Sequence, residues 1–196
     1  MKILVITSPG FMPGEDFYIQ KLLDWRVDLI HLRKPDATIE ACETLLRAIP
    51  IKYHDRIVVH DHFELCDEFH LHGIHLNSRN HTPPQKFQGS ISCSCHSIEE
   101  VAERKAKMNY VFLSPIFNSI SKQGYKAAYT KDSLKDAAAM GIIDKKVIAL
   151  GGITFGKLKQ LEKWHFGGVA MLGAIWNHID DILKIELPHE ERIKKY

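Results

Sequence analysis

Short apolar runs recur along the chain at a spacing of roughly 20–25 residues, separated by stretches with helical periodicity. The apolar runs are Lys2–Thr7, Leu29–Arg33, Ile57–Asp61, Gly73–Leu76, Ser90–Cys95, Tyr110–Pro115, Val147–Gly151 and Val169–Leu172. Their continuity, rather than alternation, is that of strands buried on both faces of a parallel sheet. Helical patterns sit between most of them. Glu15–Trp25 places Phe17, Ile19, Leu22 and Leu23 on one side. Thr38–Ile49 opens with a threonine cap and a glutamate close behind, and Ser97–Lys107 pairs Ser97 with Glu100 as a capping box. Lys131–Met140 and Phe155–Lys163 are amphipathic, and Gly141 fits a C-terminal cap. Shorter helices are expected at Phe63–Phe69 and Pro83–Lys86, and another helical segment from Trp176. Eight strands alternating with helices predict a compact (β/α)8 barrel, α/β in class, as a single domain over residues 1–196. An open flavodoxin-like sheet uses about five strands and would leave three candidates unplaced.

Composition narrows the function classes. With 26 Lys and Arg against 24 Asp and Glu, the net charge is +2 and no long basic run suggests nucleic acid. No stretch has the length of a membrane span, and the first residues, MKILVITSPG, read as a strand without a signal-peptide cleavage pattern. A cytoplasmic protein is expected. Cys93 and Cys95 share one face of a strand, and with Cys42 and Cys66 they are read as reduced core thiols.

In such folds ligands bind at the carboxyl ends of the strands. Tyr110–Gly124 is the most telling stretch: a buried strand opens into a loop carrying Ser119, Ser121, Lys122 and Gly124, a set suited to a phosphate. Gly151-Gly152, before a helix expected from Thr154, and Gly173 add backbone able to approach an anion. The second strand ends in His31, Arg33 and Lys34, either a diphosphate clamp or a solvated turn. Asp61 is placed to hold Mg2+ or to cap a short helix. His60 and His62 flank it, and the fourth strand brings His75, Asn77, Arg79 and Asn80. Six of the 12 histidines lie between His54 and His75, read as surface or hydrogen-bonded core residues ahead of a dedicated metal site. Ser94 and His96 close the fifth strand.

The segments IHLRKPD, VVHDHFELC, FHLHGIHLNSRN, SCSCHS, YVFLSPIFNSISK, VIALGGI and GGVAMLGAI, in this order, resemble the thiamin phosphate synthase / thiazole tautomerase family over nearly the whole chain. The resemblance implies a small (β/α)8 barrel that joins hydroxymethylpyrimidine diphosphate to thiazole phosphate and releases diphosphate. Mg2+ and cationic side chains stabilise the leaving group, and the thiazole nitrogen attacks a pyrimidine methylene cation. Carried over by position, Arg33 and Lys122 are catalytic. His31, Arg33, Lys34, His60, Ser94 and Lys122 face the diphosphate and pyrimidine. Ser119, Ser121, Gly151, Gly152, Leu172 and Gly173 hold the thiazole phosphate, and Asp61 and Asn80 hold the metal. This chain departs from the family pattern at several of these places. His31 replaces Gln, Lys34 replaces Glu, Pro35 replaces Lys, His60 replaces Asn and Asn80 replaces Asp. Ser119 and Ser121 replace Thr, and Gly173 replaces Ser. Lys34 is the candidate to restore the cation lost at Pro35. The alternatives are a thiazole phosphate tautomerase, with His96 or His60 as acid–base although Pro115 stands where its catalytic histidine falls, and a non-catalytic binder of either phosphate. The resemblance also suggests a homodimer. Gly124 and the polar content of residues 120–129 suit a lid over the ligand.

Overall fold

The computed structural model describes residues 1–25, 27–118 and 127–183. Ser119, Ser121, Lys122, Gly124, most of the expected lid and the C-terminal segment lie outside these residues. The strands are β1 (Lys2–Ile6), β2 (Leu29–Leu32), β3 (Ile57–Val59), β4 (Gly73–Leu76), β5 (Ser90–Cys95), β6 (Tyr110–Leu113), β7 (Val147–Leu150) and β8 (Gly168–Met171). They pair in parallel in chain order, and β8 closes on β1 in the register Lys2↔Gly168 to Val5↔Met171. The (β/α)8 barrel expected from the apolar runs is therefore the observed architecture. Six strands stop one or two residues earlier than their apolar runs, before Thr7, before Arg33, before His60 and Asp61, before Ser114 and Pro115, before Gly151 and before Leu172.

The outer layer follows the periodicities. Helix α1 (Glu15–Asp24) buries Ile19, Leu22 and Leu23, but Phe17, expected beside them, points to solvent. In α2 (Ile39–Ala48) the Thr38 hydroxyl accepts the Ala41 N–H. In α4 (Ile98–Arg104) the Ser97 hydroxyl accepts from the Glu100 N–H. The Glu100 carboxylate reaches back to the His96 N–H at 2.8 Å, so the expected box closes one residue further upstream. Gly141, with φ of 71°, follows α5 (Lys131–Ala139) as a left-handed cap. Between them, α3 spans Glu64–Glu68, as expected. The segment Pro83–Lys86, in contrast, forms no helix. After β7 a 3-10 turn (Phe155–Lys157) leads into α6 (Leu158–Lys163), and after β8 the short α7 begins at Gly173, three residues before the expected Trp176. All four cysteines are free and buried.

Alternation along each strand sends one set of side chains outward to the helices and the other into a closed interior. Cys93 and Cys95 pack outward, so Ser92 and Ser94 face inward. The interior is divided. Leu4, Ile6, Ile148 and Ala170 fill the side built from β7, β8 and β1. From β2 to β6 the inward residues include His31, His60, His75, Ser92, Ser94 and Tyr110, joined in chains. Tyr110 OH meets His31 Nε2 at 2.9 Å, and His31 Nδ1 meets His60 Nε2 at 2.9 Å. His75 lies between Ser92 Oγ and Ser94 Oγ, 2.9 Å from each. The Ser92 hydroxyl has its own acceptor in the Ile74 carbonyl, which assigns the His75 proton to Nδ1 and leaves Nε2 to accept from Ser94. His60 and His75 stack with centroids 4.3 Å apart, so their in-plane lone pairs do not converge, although one nitrogen of each of the three histidines lies within 4.8 Å of the others. This is a hydrogen-bonded core cluster. Burial holds all three imidazoles neutral, with the His75 pKa down to about 3.

The ion pair of Lys34 and Glu15 pins the β1–α1 connection. Lys34 Nζ lies 2.7 Å and 2.8 Å from the two Glu15 oxygens, and also donates to the carbonyls of Ser8 and Gly10. Both side chains are about 2% exposed or less. Lys34 therefore does not replace the cation missing at Pro35. It follows Arg33, and the reversal of side-chain direction between neighbours turns it away from the barrel mouth and under α1.

Two outcomes are expected. Lys34→Met should lower the urea-unfolding free energy by about 3–5 kcal/mol by stranding Glu15, and Lys34→Met/Glu15→Leu should recover at least half of that. Equal loss in both variants would show that the pair itself is stabilising. A buried neutral imidazole gains a proton on unfolding once the pH falls below the free value near ~6.5. The unfolded state then binds more protons and stability rises with pH. The His75 contribution is complete above about pH 6.5 and shrinks by about 1 kcal/mol per pH unit as the pH falls towards 3. His75→Gln should therefore reduce the slope of unfolding free energy between pH 6.5 and 5 by about one proton, and an unchanged slope would mean that His75 is not held neutral.

Candidate active site

At the carboxyl ends of the strands lies a cavity of about 520 Å³, within the range of small-molecule sites. Its floor is the top of the interior: Ile6, Phe112, Leu150 and Ala170 on the apolar side, His60 and Ser94 on the polar side. His31, expected to contact ligand, is fully buried one layer below, packed under Phe112 and hydrogen-bonded to His60, and does not itself line the cavity. The proton of the Ser94 hydroxyl is spent on His75, so its oxygen presents lone pairs upward. A ligand atom facing it is required to donate.

Across this mouth stand two regions suited to anions. One is formed by the turns after β7 and β8, where Gly151, Gly152, Leu172 and Gly173, the residues assigned to a phosphate from the sequence, line the cavity. Gly151 and Gly152 have φ of 98° and 62°. A Cβ on Gly152 would stand 2.2 Å from the Asn118 carbonyl oxygen, so the glycine pair also lets the turn after β7 lie against the turn after β6. That second turn begins with the cis Ser114-Pro115 bond. His96, an acid–base candidate, reaches the same mouth with Nδ1 3.4 Å from Ser114 Oγ.

The other region gathers the ends of β2, β3 and β4. Thr7 fixes the Arg33 backbone, accepting its N–H at 2.9 Å, and the guanidinium lines the cavity. Among the described residues no hydrogen bond or ion pair engages that guanidinium. Its pKa is lowered by burial first and by Arg79 second, with Asp61 acting in the opposite sense. The Asn77 side chain folds the next turn, accepting from the N–H groups of Arg79 and Asn80. The turn carries Arg79 onto Asp61. Nε lies 3.0 Å from Oδ1, and Nη2 lies 2.9 Å from both carboxylate oxygens. Asn80 Nδ2 donates to the same Oδ1 at 3.0 Å. Asp61 and Asn80 thus do come together, as expected of a metal pair, but their surroundings are those of an ion pair. Mg2+ prefers anionic oxygen ligands. Here one carboxylate is neutralised by a guanidinium and one neutral amide turns its NH2 group toward it. This donor set does not fit a resident Mg2+. Arg79, which brings this about, was visible in the sequence only as one polar residue in a turn. The signal was the Asn-Ser-Arg-Asn run, in which Asn at the first position favours a local turn that brings the third and fourth residues back over β3.

The comparisons with known proteins agree with the fold. A family profile described as thiamine monophosphate synthase matches residues 3–175. The thiamine-phosphate synthase of Latilactobacillus sakei is 27% identical over 130 residues, 63% of this chain and 57% of that protein, so the chain spans under two thirds of this relative's length. Thiamine-phosphate synthase 1 of Streptococcus pneumoniae is 25% identical over 191 residues, covering 89% of this chain and 90% of the relative. A crystal structure titled thiamine phosphate pyrophosphorylase, from Bacteroides thetaiotaomicron, superposes with a TM-score of 0.84 at 44% identity, covering 99% of this chain and 93% of that one. One from Pyrococcus furiosus, at 20% identity and a TM-score of 0.71, shares the fold. By the span of the family match and the barrel it folds into, this chain belongs to the thiamine monophosphate synthase family.

Proposed function

We propose that the protein is a thiamin phosphate synthase, a transferase that joins hydroxymethylpyrimidine diphosphate to thiazole phosphate and releases diphosphate. The observation that carries this reading is the pairing of two anion-suited regions, on β2–β4 and on β7–β8, across one cavity with a half-polar, half-apolar floor. A diphosphate and a monophosphate held on opposite sides place the two rings between them.

In this reading Arg33 meets the diphosphate and follows the charge that develops as it leaves. Thr7 holds its backbone, and among the described residues no hydrogen bond or ion pair engages its guanidinium, so its donors are available to the anion. The pyrimidine lies over Phe112 against Ser94 and His60, with a ring-bound N–H group donating to the Ser94 oxygen. The apolar wall excludes water from the methylene cation, which hydrolysis would otherwise consume. The backbone of Gly151, Gly152 and Gly173 approaches the thiazole phosphate and orients its ring nitrogen for attack. Lys122, Ser119 and Ser121 are assigned to the same phosphates from the sequence. The reduced cysteines accord with a cytoplasmic setting, and no helix among the described residues is long and apolar enough to cross a membrane.

Purified protein given both phosphorylated substrates should form thiamin phosphate, read as fluorescent thiochrome. Arg33→Ala should lower kcat/KM about 100-fold or more while leaving the unfolding midpoint in place. Ser94→Ala should act mainly through KM for the pyrimidine substrate. Absence of product from folded protein at saturating substrates would overturn the reading and leave the tautomerase and binder alternatives.

A further inference from the structure

We propose that the Arg79 guanidinium stands in the electrostatic place of a divalent cation, so that Arg33 and Arg79 together take a diphosphate without metal. This inference rests on the synthase reading only for the identity of the diphosphate; the anion site is argued from the geometry.

Position is the first argument. Arg79 lines the cavity, whereas Asp61 and Asn80 lie behind it and do not. A ligand phosphate entering from the cavity meets the guanidinium before it meets the carboxylate. Donor count is the second. The carboxylate engages Nε and Nη2. Of five guanidinium N–H groups this leaves about three, two on Nη1 and one on Nη2, for an anion. Asp61 is 14% exposed against 40% for Arg79, so the ion pair anchors the inner edge of the guanidinium and leaves the outer edge open. Asn77 accepts the Arg79 backbone N–H and the Asn80 amide donates to the Asp61 carboxylate, so both partners are held.

Charge is the third argument. An aspartate with a bound Mg2+ contributes one net positive charge, and the asparagine and arginine found here contribute the same. The charge lost at Asn80 is therefore balanced by the cation at Arg79. Arg33 is close enough to be perturbed by Arg79, and although Asp61 and Asp36 both act on it, the two arginines line the cavity and the two aspartates do not, so the cavity wall presents two cations to an anion.

The test is titration calorimetry of inorganic pyrophosphate into the full chain, in EDTA and in excess Mg2+. Wild type should bind in EDTA, and Mg2+ should not tighten binding by more than about threefold. Arg79→Gln should weaken binding in EDTA by about tenfold or more. Arg79→Gln/Asn80→Asp should bind pyrophosphate only with Mg2+, because the carboxylate pair is then restored. Unchanged urea midpoints confirm that the variants are folded. Wild-type binding that requires Mg2+, or equal affinity of Arg79→Gln in EDTA, would overturn the proposal. Failure of the synthase reading is seen separately: pyrophosphate bound by both arginines in EDTA without thiamin phosphate formation supports this site and removes that activity.

Discussion

A closed parallel barrel leaves no freedom about where half of its strand residues go. Every second side chain of eight strands enters an interior that excludes water, where each polar atom needs a partner. This protein meets that constraint in two ways at once. The strands β7, β8 and β1 fill their share with Leu, Ile and Ala. The strands from β2 to β6 admit imidazoles, hydroxyls and a phenol, and satisfy them by chains of hydrogen bonds about 2.9 Å long. The division is kept at the cavity floor, because the floor is only the last layer of the same interior.

The polarity of the site follows from how those chains end. The Ser92 proton goes to the Ile74 carbonyl and the His75 proton to Ser92, so the Ser94 proton goes to His75. An acceptor is what remains for the ligand. A second chain ends at His60, the member of the Tyr110–His31–His60 series that reaches the cavity. Low dielectric makes each reversal in such a series expensive, since one misplaced proton leaves a donor or acceptor unpaired at every later link. The buried network therefore sets the hydrogen-bond sense of groups that ligands touch.

Much of the fold was legible because it depends on local pattern. The eight runs, the Ser97 box, the Gly141 cap and the shared face of Cys93 and Cys95 are consequences of period and of backbone geometry. The errors have physical causes. Apolar runs overran their strands at Arg33, at His60 and Asp61, at Pro115, at Gly151 and at Leu172, because hydropathy does not distinguish the last laddered residue from the first that peels away to face the cavity. Lys34 was read with Arg33 as one cationic pair, but neighbours point in opposite directions, and its partner Glu15 lies a whole helix connection earlier. Phe17 fitted the apolar face of α1 by spacing and still lies exposed. Asp61 and Asn80 were paired as metal ligands, and the structure brings them together beside a guanidinium. What could not be read was that Arg79, rather than a metal, would complete that cluster, since this depends on a turn folding one side chain back over β3.

Replacing a metal by a guanidinium keeps the net charge but changes its distribution. Mg2+ concentrates two charges on a small ion and draws phosphate oxygens to about 2.1 Å. A guanidinium spreads one charge over three nitrogens and holds oxygens at about 2.8 Å through directed N–H groups. The field at a leaving oxygen is accordingly weaker for each contact, and stabilisation depends on the number of donors and on their being fixed in advance. The structure meets that requirement through anchorage rather than charge density. Asp61 grips the inner edge of Arg79, Asn77 folds the turn that carries it, and Thr7 holds the backbone of Arg33. A cation bonded to the chain also needs no assembly from solution, so the anion site is complete before ligand arrives. Asp61 then serves as the counter-charge that keeps Arg79 in place, and the selectivity of the region passes from a metal's coordination sphere to the fork of a side chain.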